Sequence, residues 1–301
     1  MKRVDIKIGF ACNNHCRFCV QGKKRHLQSD KDTLAIKKIL EDARRDCDGV
    51  VFTGGEPTIR SDILDLVGHA KRLKFKIIQI QTNGRIFYYK KFCDEIIAAG
   101  ANEFSPALHG HIAQVHDYLT SSAGSFNETV AGIINLKQRN QTVITNTVIT
   151  KPNYRHLAQI AELLVKLGVD QFQFAFVHAA GSAGDNFYSV VPRISMVMPY
   201  VKEGLGIGIK ANKKVMTEAI PYCFMQGYED YIAEKIIPET IIYDLGKVID
   251  DFTKVRKKEG KAKNLSCRHC YHYKICEGPW KEYPEKFGWS EFVPVLKKYG
   301  R

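Results

Sequence analysis

Seven of the nine cysteines in this chain fall into two groups whose spacing suits metal chemistry. Cys12, Cys16 and Cys19 form a C-x3-C-x2-C loop directly after the apolar run at residues 4–10. Thiolates are soft ligands that select zinc or iron–sulfur clusters. A four-iron cube usually takes four thiolates, so three on one short loop would tether a cube and leave its last iron open to a small molecule. Zinc is the alternative, with His15 or His26 as a further ligand, although no second C-x2-C knuckle lies nearby. Phe18 offers a flat apolar face inside the loop. The second group is Cys267, Cys270 and Cys276, a C-x2-C-x5-C pattern, with Cys223 upstream as a fourth thiolate. Four sulfurs from two segments would staple a region with little core of its own, and their number suits structural zinc and iron alike. Cys47 and Cys93 fall inside helix candidates and read as buried thiols.

Other residues gather at strand ends. Thr53-Gly54-Gly55-Glu56-Pro57 follows the second strand candidate, where two glycines permit close backbone approach and proline fixes the exit of the chain. Gln81-Thr82-Asn83-Gly84 ends the third, and Asn-Gly favours a turn. Ser105 and Asn146 are polar residues within the fourth and fifth strands, and in a buried sheet they need partners. His109-Gly110-His111 follows the fourth strand. His109 and His111 read either as substrate-contacting, proton-handling groups or as loop histidines bonded to the backbone.

The elements that position these residues alternate regularly. Strand candidates at 4–10, 50–53, 76–82, 102–108, 142–150 and 171–177 are separated by amphipathic segments near 31–46, 61–74, 88–99, 125–139 and 153–167. Ser61-Asp62 marks a helix start, and Gly100 and Gly168 stand just past helix ends. The series predicts an α/β fold with a parallel sheet and right-handed crossovers, whose ligands sit beyond the carboxyl ends of the strands. After residue 177 the alternation is lost. Residues 179–184 read as a small-residue loop, and 204–208 repeats glycine too often for a helix interior. The chain is therefore expected to divide at 1–200 and 201–301.

The 301 residues are 45% hydrophobic and 26% charged, the composition of an ordinary globular protein. No stretch resembles a membrane span and no signal peptide is recognised, so the expected location is cytoplasmic, where cysteines serve as ligands or core thiols rather than disulfides. The net charge of +13 raises the question of nucleic acid. The lysines are scattered, however, with dense runs only at Lys23-Lys24-Arg25 and at 254–258, and the second run reads as the solvated face of a helix.

Taken together, the cysteine loop and the turn one strand later resemble the radical S-adenosylmethionine (SAM) superfamily. Cys12, Cys16 and Cys19 match its C-x3-C-x-Φ-C loop with Phe18 at the aromatic position, and Gly54-Gly55-Glu56-Pro57 matches its GGEP motif. The strand series matches its partial (βα)6 TIM-like barrel. The resemblance implies a [4Fe-4S] cluster that chelates SAM and cleaves it reductively to a 5′-deoxyadenosyl radical, which abstracts hydrogen from a substrate. It also implies cofactor contacts from Phe18, Gly54, Gly55, Glu56, Pro57, Thr82, Ser105 and Asn146, and an electron donor such as flavodoxin or ferredoxin. The C-terminal cysteines resemble the auxiliary-cluster domains called SPASM or, in shorter form, twitch. A full SPASM domain has a further cysteine where Trp280 stands, so the resemblance implies one auxiliary [4Fe-4S] cluster on Cys223, Cys267, Cys270 and Cys276.

The expected substrate is a peptide or a small molecule such as a sugar, nucleotide or lipid precursor. A reading of a different class is a basic, zinc-containing module that binds nucleic acid without catalysis.

Overall fold

The computed structural model describes residues 2–26, 31–244 and 246–297. Nine strands form one sheet: β1 (Arg3–Gly9), β2 (Gly49–Gly54), β3 (Ile77–Thr82), β4 (Glu103–Pro106), β5 (Thr142–Ile149), β6 (Gln171–Phe176), β7 (Lys214–Glu218), β8 (Thr240–Tyr243) and β9 (Val248–Ile249). Their order is β7-β6-β5-β4-β3-β2-β1-β8-β9. All pairs are parallel except β8 with β9. The helices between the first six strands are α1 (Thr33–Ala43), α2 (Ile63–Arg72), α3 (Lys90–Ala99), α4 (Ala113–Thr120), α5 (Ser125–Gln138) and α6 (Leu157–Lys166). This is the parallel α/β sheet that the alternation predicts, consistent with the partial (βα)6 barrel that the resemblance implies, followed by a cysteine-containing C-terminal region.

Period-2 burial explains the two faces of the sheet. Val4, Ile6 and Ile8 of β1 and Phe172, Phe174 and Phe176 of β6 are buried in the hydrophobic core. The parallel register places Asp5, Lys7, Gln79, Glu103, Ser105, Asn146, Gln173 and Glu218 on the other face. There the polar side chains satisfy one another: Arg3 Nη1 donates to Glu103 at 3.1 Å, Gln79 Nε2 to Glu103 at 2.8 Å, and Thr53 Oγ1 to Asp5 at 2.7 Å. Half-buried polar groups cost least when paired in this way.

Local signals mostly hold. Gly100 (φ 128°) and Gly168 (φ 74°) stand just beyond α3 and α6. Asp62 flanks α2 without capping it; its carboxylate instead accepts from Arg60 Nε at 2.9 Å, Arg60 Nη2 at 2.7 Å and Thr33 Oγ1 at 2.6 Å, tying α1 to α2. The α4 helix is absent from the sequence expectation, because eight residues give too few turns to display a period.

Beyond residue 177 the structure corrects the sequence reading. Residues 179–184 are not all loop, since α7 (Ser182–Asp185) begins there and α8 (Phe187–Val190) follows. Residues 204–208 lie inside a 17-residue helix, α9 (Ile194–Lys210), which crosses residue 200 and leads into β7, so the alternation continues for one further unit. Each interior glycine costs about 1 kcal/mol of helix propensity. The compensation is proximity: a Cβ on Gly204 would stand 2.7 Å from the Phe174 ring, and one on Gly208 would stand 2.5 Å from Phe172 and 2.3 Å from Val215. The basic run at 254–258 spans α10 (Phe252–Val255) and a wider helical turn, Arg256–Gly260. Arg256 is not solvated; it is buried in a bidentate pair with Glu277 at 2.7 and 2.8 Å. The last helix is α11 (Glu282–Phe287), whose Tyr283 joins the same core as the strands.

This packing predicts opposite responses along α9. Gly208→Ala should destabilise the protein by about 1–3 kcal/mol through overpacking, whereas Gly206→Ala, with nothing near its Cβ, should be neutral or gain up to about 1 kcal/mol. Urea unfolding of both variants measures this, and equal stabilities would contradict the close approach of α9 to β6.

Candidate active site

The carboxyl ends of the parallel strands share one edge, and the cysteine loop is clamped there from several sides. Gly55 N donates to Gly9 O at 2.8 Å and Glu56 N donates to Ala11 O at 2.8 Å. A Cβ on Gly54 or Gly55 would stand 2.1 Å from Gly9 O or Ala11 O respectively. The two glycines thus allow the turn after β2 to touch the backbone that enters the cysteine loop. From α4, Thr120 O accepts from His15 N at 2.8 Å and Leu119 O from Arg17 N at 2.9 Å. Beyond β6, Ser182 N donates to Cys19 O at 2.9 Å, next to Gly181, whose φ of +58° suits only glycine in so tight a contact.

Glu56 is the buried centre of this arrangement. Its Oε1 accepts from Thr58 N (3.1 Å), Thr58 Oγ1 (2.7 Å) and Thr82 Oγ1 (2.8 Å), and its Oε2 accepts from Asn83 N (2.6 Å). Burial pushes its carboxyl above the ordinary value, against the pull of these donors. Thr82 Oγ1 also accepts from Gly84 N at 2.9 Å. The Glu56 and Thr82 side chains, expected to meet a cofactor, are therefore engaged in holding loops. Pro57 opens a short 3-10 turn, Pro57–Ile59. Sequence reasoning overlooked the next layer: Asn83 Nδ2 donates to Asn13 Oδ1 at 2.6 Å. Arg85 Nη1 donates to Asn13 O at 2.6 Å and Asn14 Oδ1 at 2.9 Å, while its other edge pairs with Glu128. The Asn-Gly turn was the only visible signal for this anchor.

The three thiols are half-buried. Burial, then Cys19 and Cys12, pushes the Cys16 thiol far up. Burial also raises Cys12, with Glu56 and Cys19 adding to it, although Asn14 N donates to its sulfur at 3.5 Å. A metal cation beside them would offset that cost, since coordinating thiols bind as thiolates. Among the described residues, no three His, Cys, Asp or Glu side chains converge on a point that could hold one metal ion. Three thiols on one loop suit the soft metals, zinc or the irons of a cluster, that thiolates select.

Phe18 does not line an open face. It is buried, its ring 4.7 Å from His109 in an edge-on contact. His109 is packed as well: its backbone N–H donates to His116 Nδ1 at 3.1 Å, its ring Nδ1 accepts from Val148 N at 3.2 Å, and burial holds it far below the usual imidazole value. A ring held at Nδ1 by Val148 and packed against Phe18 and His116 is the structural alternative for His109. His111 is half-buried and 4.8 Å from the His156 ring. Ser105 and Asn146 lie half-buried on the polar face of the sheet, with Asn146 Oδ1 accepting from Gln173 Nε2 at 3.4 Å. A further anchor lies where no sequence pattern pointed. Asp244, at the end of β8, accepts from Lys7 Nζ at 2.9 Å and Lys24 Nζ at 2.7 Å, and its carbonyl accepts from Lys31 Nζ at 3.0 Å.

The structure brings Cys223, Cys267, Cys270 and Cys276 together around one pocket, which Pro221 and Phe292 also line. Burial and then Cys276, Cys270 and Cys267 push the Cys223 thiol up to about 12. The buried Arg256–Glu277 pair adjoins Cys276, and a Cβ on Gly278 would stand 1.9 Å from Ala262 O. Trp280 stacks on His178 at 3.9 Å and 7° and carries Lys261 Nζ 4.0 Å above its ring, joining this region to the end of β6.

The role of Glu56 as a buried acceptor predicts that Glu56→Ala lowers stability by about 2–4 kcal/mol, because its donors are left unpaired. Glu56→Gln should cost less by keeping one acceptor oxygen. Chemical denaturation distinguishes them, and a Glu56→Ala protein as stable as the parent would contradict the arrangement.

Comparison with known proteins places this geometry. Residues 6–164, more than half of the 301, match the Radical SAM superfamily. A probable GTP 3′,8-cyclase of Saccharolobus islandicus is 26% identical over 185 residues, covering 60% of this chain and 58% of its own length. The chain thus spans under two thirds of that relative. Streptococcus suis SuiB bound to S-adenosylmethionine superposes with a TM-score of 0.68 at 16% identity, over 99% of this chain and 76% of that one. Native anSMEcpe with bound AdoMet and a Cp18Cys peptide gives 0.65 at 13% identity, over 99% and 93%. These two likenesses establish the fold alone. With its family profile extending from β1 into α6 and carrying both the cysteine loop and the turn that clamps it, the chain belongs to the radical SAM superfamily.

Proposed function

We propose that the protein is a radical SAM enzyme whose Cys12, Cys16 and Cys19 hold a [4Fe-4S] cluster that chelates SAM. The observation that carries this reading is the three-thiol loop, fixed to the Gly54-Gly55-Glu56 turn at the carboxyl edge of a parallel sheet. When bound, the reduced cluster and SAM supply a 5′-deoxyadenosyl radical that removes a hydrogen atom from the substrate.

The chain's own residues would provide orientation and enclosure. Glu56, Asn83 and Arg85 keep the loop fixed. Ser105 and Asn146 would bond the ribose and carboxylate of SAM, with Gln173 occupying the Asn146 carbonyl and leaving its amide free to donate. In the same reading the 1–200 barrel carries the chemistry and the 201–301 region holds one auxiliary [4Fe-4S] cluster on Cys223, Cys267, Cys270 and Cys276. Their convergence on one pocket supports this. A cluster with four thiolates has no open iron, so it would relay an electron or shape the substrate site. The substrate is a peptide or small molecule, and flavodoxin or ferredoxin would deliver electrons in the cytoplasm. Among the described residues, no helix is long and apolar enough to cross a membrane.

Anaerobic reconstitution tests this directly. Two cubes predict about eight irons per chain and 5′-deoxyadenosine on adding SAM and reductant. Cys267→Ala with Cys270→Ala should lower the iron to about four while 5′-deoxyadenosine still forms; Cys16→Ala should abolish its formation. Fewer than about four irons in the parent protein, or no 5′-deoxyadenosine, would overturn the proposal.

A further inference from the structure

An open cavity of about 390 Å3 lies beside the end of β5, lined in part by Lys151, Arg155, His156, Pro152, Pro192 and Met196. That volume lies within the roughly 300–1,000 Å3 of small-molecule sites. Its position is on the carboxyl edge of the sheet, where the cysteine loop also lies.

The turn that carries the basic residues is firmly built. Asn153 Oδ1 accepts from Thr150 N at 2.7 Å and Thr150 Oγ1 at 2.9 Å, while its Nδ2 donates to His109 O and Val148 O, both at 2.9 Å. Lys151 N donates to Val190 O at 2.8 Å, holding the turn against the segment that enters α9. Among the described residues, no carboxylate lines the cavity. This differs from the Lys7 and Lys24 ammonium groups, which share Asp244, and from Arg85, which pairs with Glu128. Arg155 uses its Nε on Tyr154 Oη at 2.9 Å, and no ion pair engages its two Nη groups among the described residues. Lys151 Nζ donates to a carbonyl, Tyr188 O, and so keeps its charge unneutralised.

Behind His156 lies His111, whose buried Nδ1 has no hydrogen-bond partner. Burial and His156 both hold His111 below the usual imidazole value. The turn itself is tied to His109, whose carbonyl accepts from Asn153 Nδ2 and whose ring touches Phe18 of the cysteine loop. Pro152, Pro192 and the exposed Met196 add apolar surface to the same lining. A lining that combines unneutralised cations with apolar side chains suits a ligand that carries both a phosphate and a flat ring.

We propose that this cavity binds a phosphorylated small molecule, with its phosphate on Lys151, Arg155 and His156 and its ring against Pro152, Pro192 and Met196. Only the identification of that ligand as the substrate rests on the radical SAM reading; its binding does not.

Calorimetric titration of the full, reconstituted chain tests this with three probes: inorganic pyrophosphate, uridine triphosphate and uridine. Uridine triphosphate avoids the adenine shared with SAM. Uridine triphosphate should bind, pyrophosphate should bind more weakly, and uridine should not bind measurably. Arg155→Gln and Lys151→Gln should each weaken uridine triphosphate about tenfold, the scale of one lost charge-assisted bond. Lys91→Gln, at a side chain 89% exposed, should leave its affinity unchanged. The same affinity for uridine triphosphate should persist in Cys16→Ala, which separates this site from the cluster chemistry. Absence of binding by both phosphate probes, or undiminished binding in Arg155→Gln and Lys151→Gln with native circular dichroism, would overturn the proposal. Equal affinities for pyrophosphate and uridine triphosphate would overturn the ring contact.

Discussion

Two short backbone contacts, Gly55 N to Gly9 O and Glu56 N to Ala11 O, set the position of everything chemical in this molecule. They require glycine at 54 and 55, because any Cβ would enter the backbone of residues 9–11. They also bring Glu56 under the sheet edge, where its buried carboxylate draws in the ends of β2 and β3. Through Asn83 and Arg85 the same hub reaches Asn13 and Asn14 inside the cysteine loop. A loop with three thiols needs such restraint, since its own hydrogen bonds are few and burial disfavours ionisation of Cys12 and Cys16.

The polar face of the sheet extends this logic. An ordinary parallel sheet buries both faces behind apolar side chains. Here one face carries Arg3, Asp5, Gln79, Glu103, Asn146 and Gln173, paired between neighbouring strands and, for Arg3 and Glu103, from β1 to β4. Such pairing keeps a polar surface inside the fold at modest cost and leaves it able to meet a polar cofactor. The C-terminal region closes over one end through Trp280 on His178, and its four thiols meet around a separate pocket.

Much of this was legible in the sequence because it depends on local spacing. The cysteine loop, the glycine turn and six alternating strands are patterns of neighbouring residues, and each lies where its pattern indicates. What escaped notice depends on residues far apart in the chain. Asp244 meets Lys7 across 237 positions, and β8 pairs with β1 although no nearby element announces it. The glycine-rich stretch at 204–208 was misread because propensity counts only the helix, whereas Phe172, Phe174 and Val215 decide what that helix must fit. Glu56 and Thr82 stand in strand-end motifs that spacing reveals, but the hydrogen bonds by which they hold the loops join β2 to β3 and are not written in either motif alone. The packing of His109 against Val148 and His116 likewise depends on residues that are not its immediate neighbours in sequence.

The central claim is that Cys12, Cys16 and Cys19 leave one iron open for SAM. Electron paramagnetic resonance of the reduced Cys267→Ala, Cys270→Ala protein isolates that cluster. Adding SAM should shift its signal as the cofactor's amino and carboxylate groups reach the iron; a spectrum unchanged by saturating SAM would contradict the account.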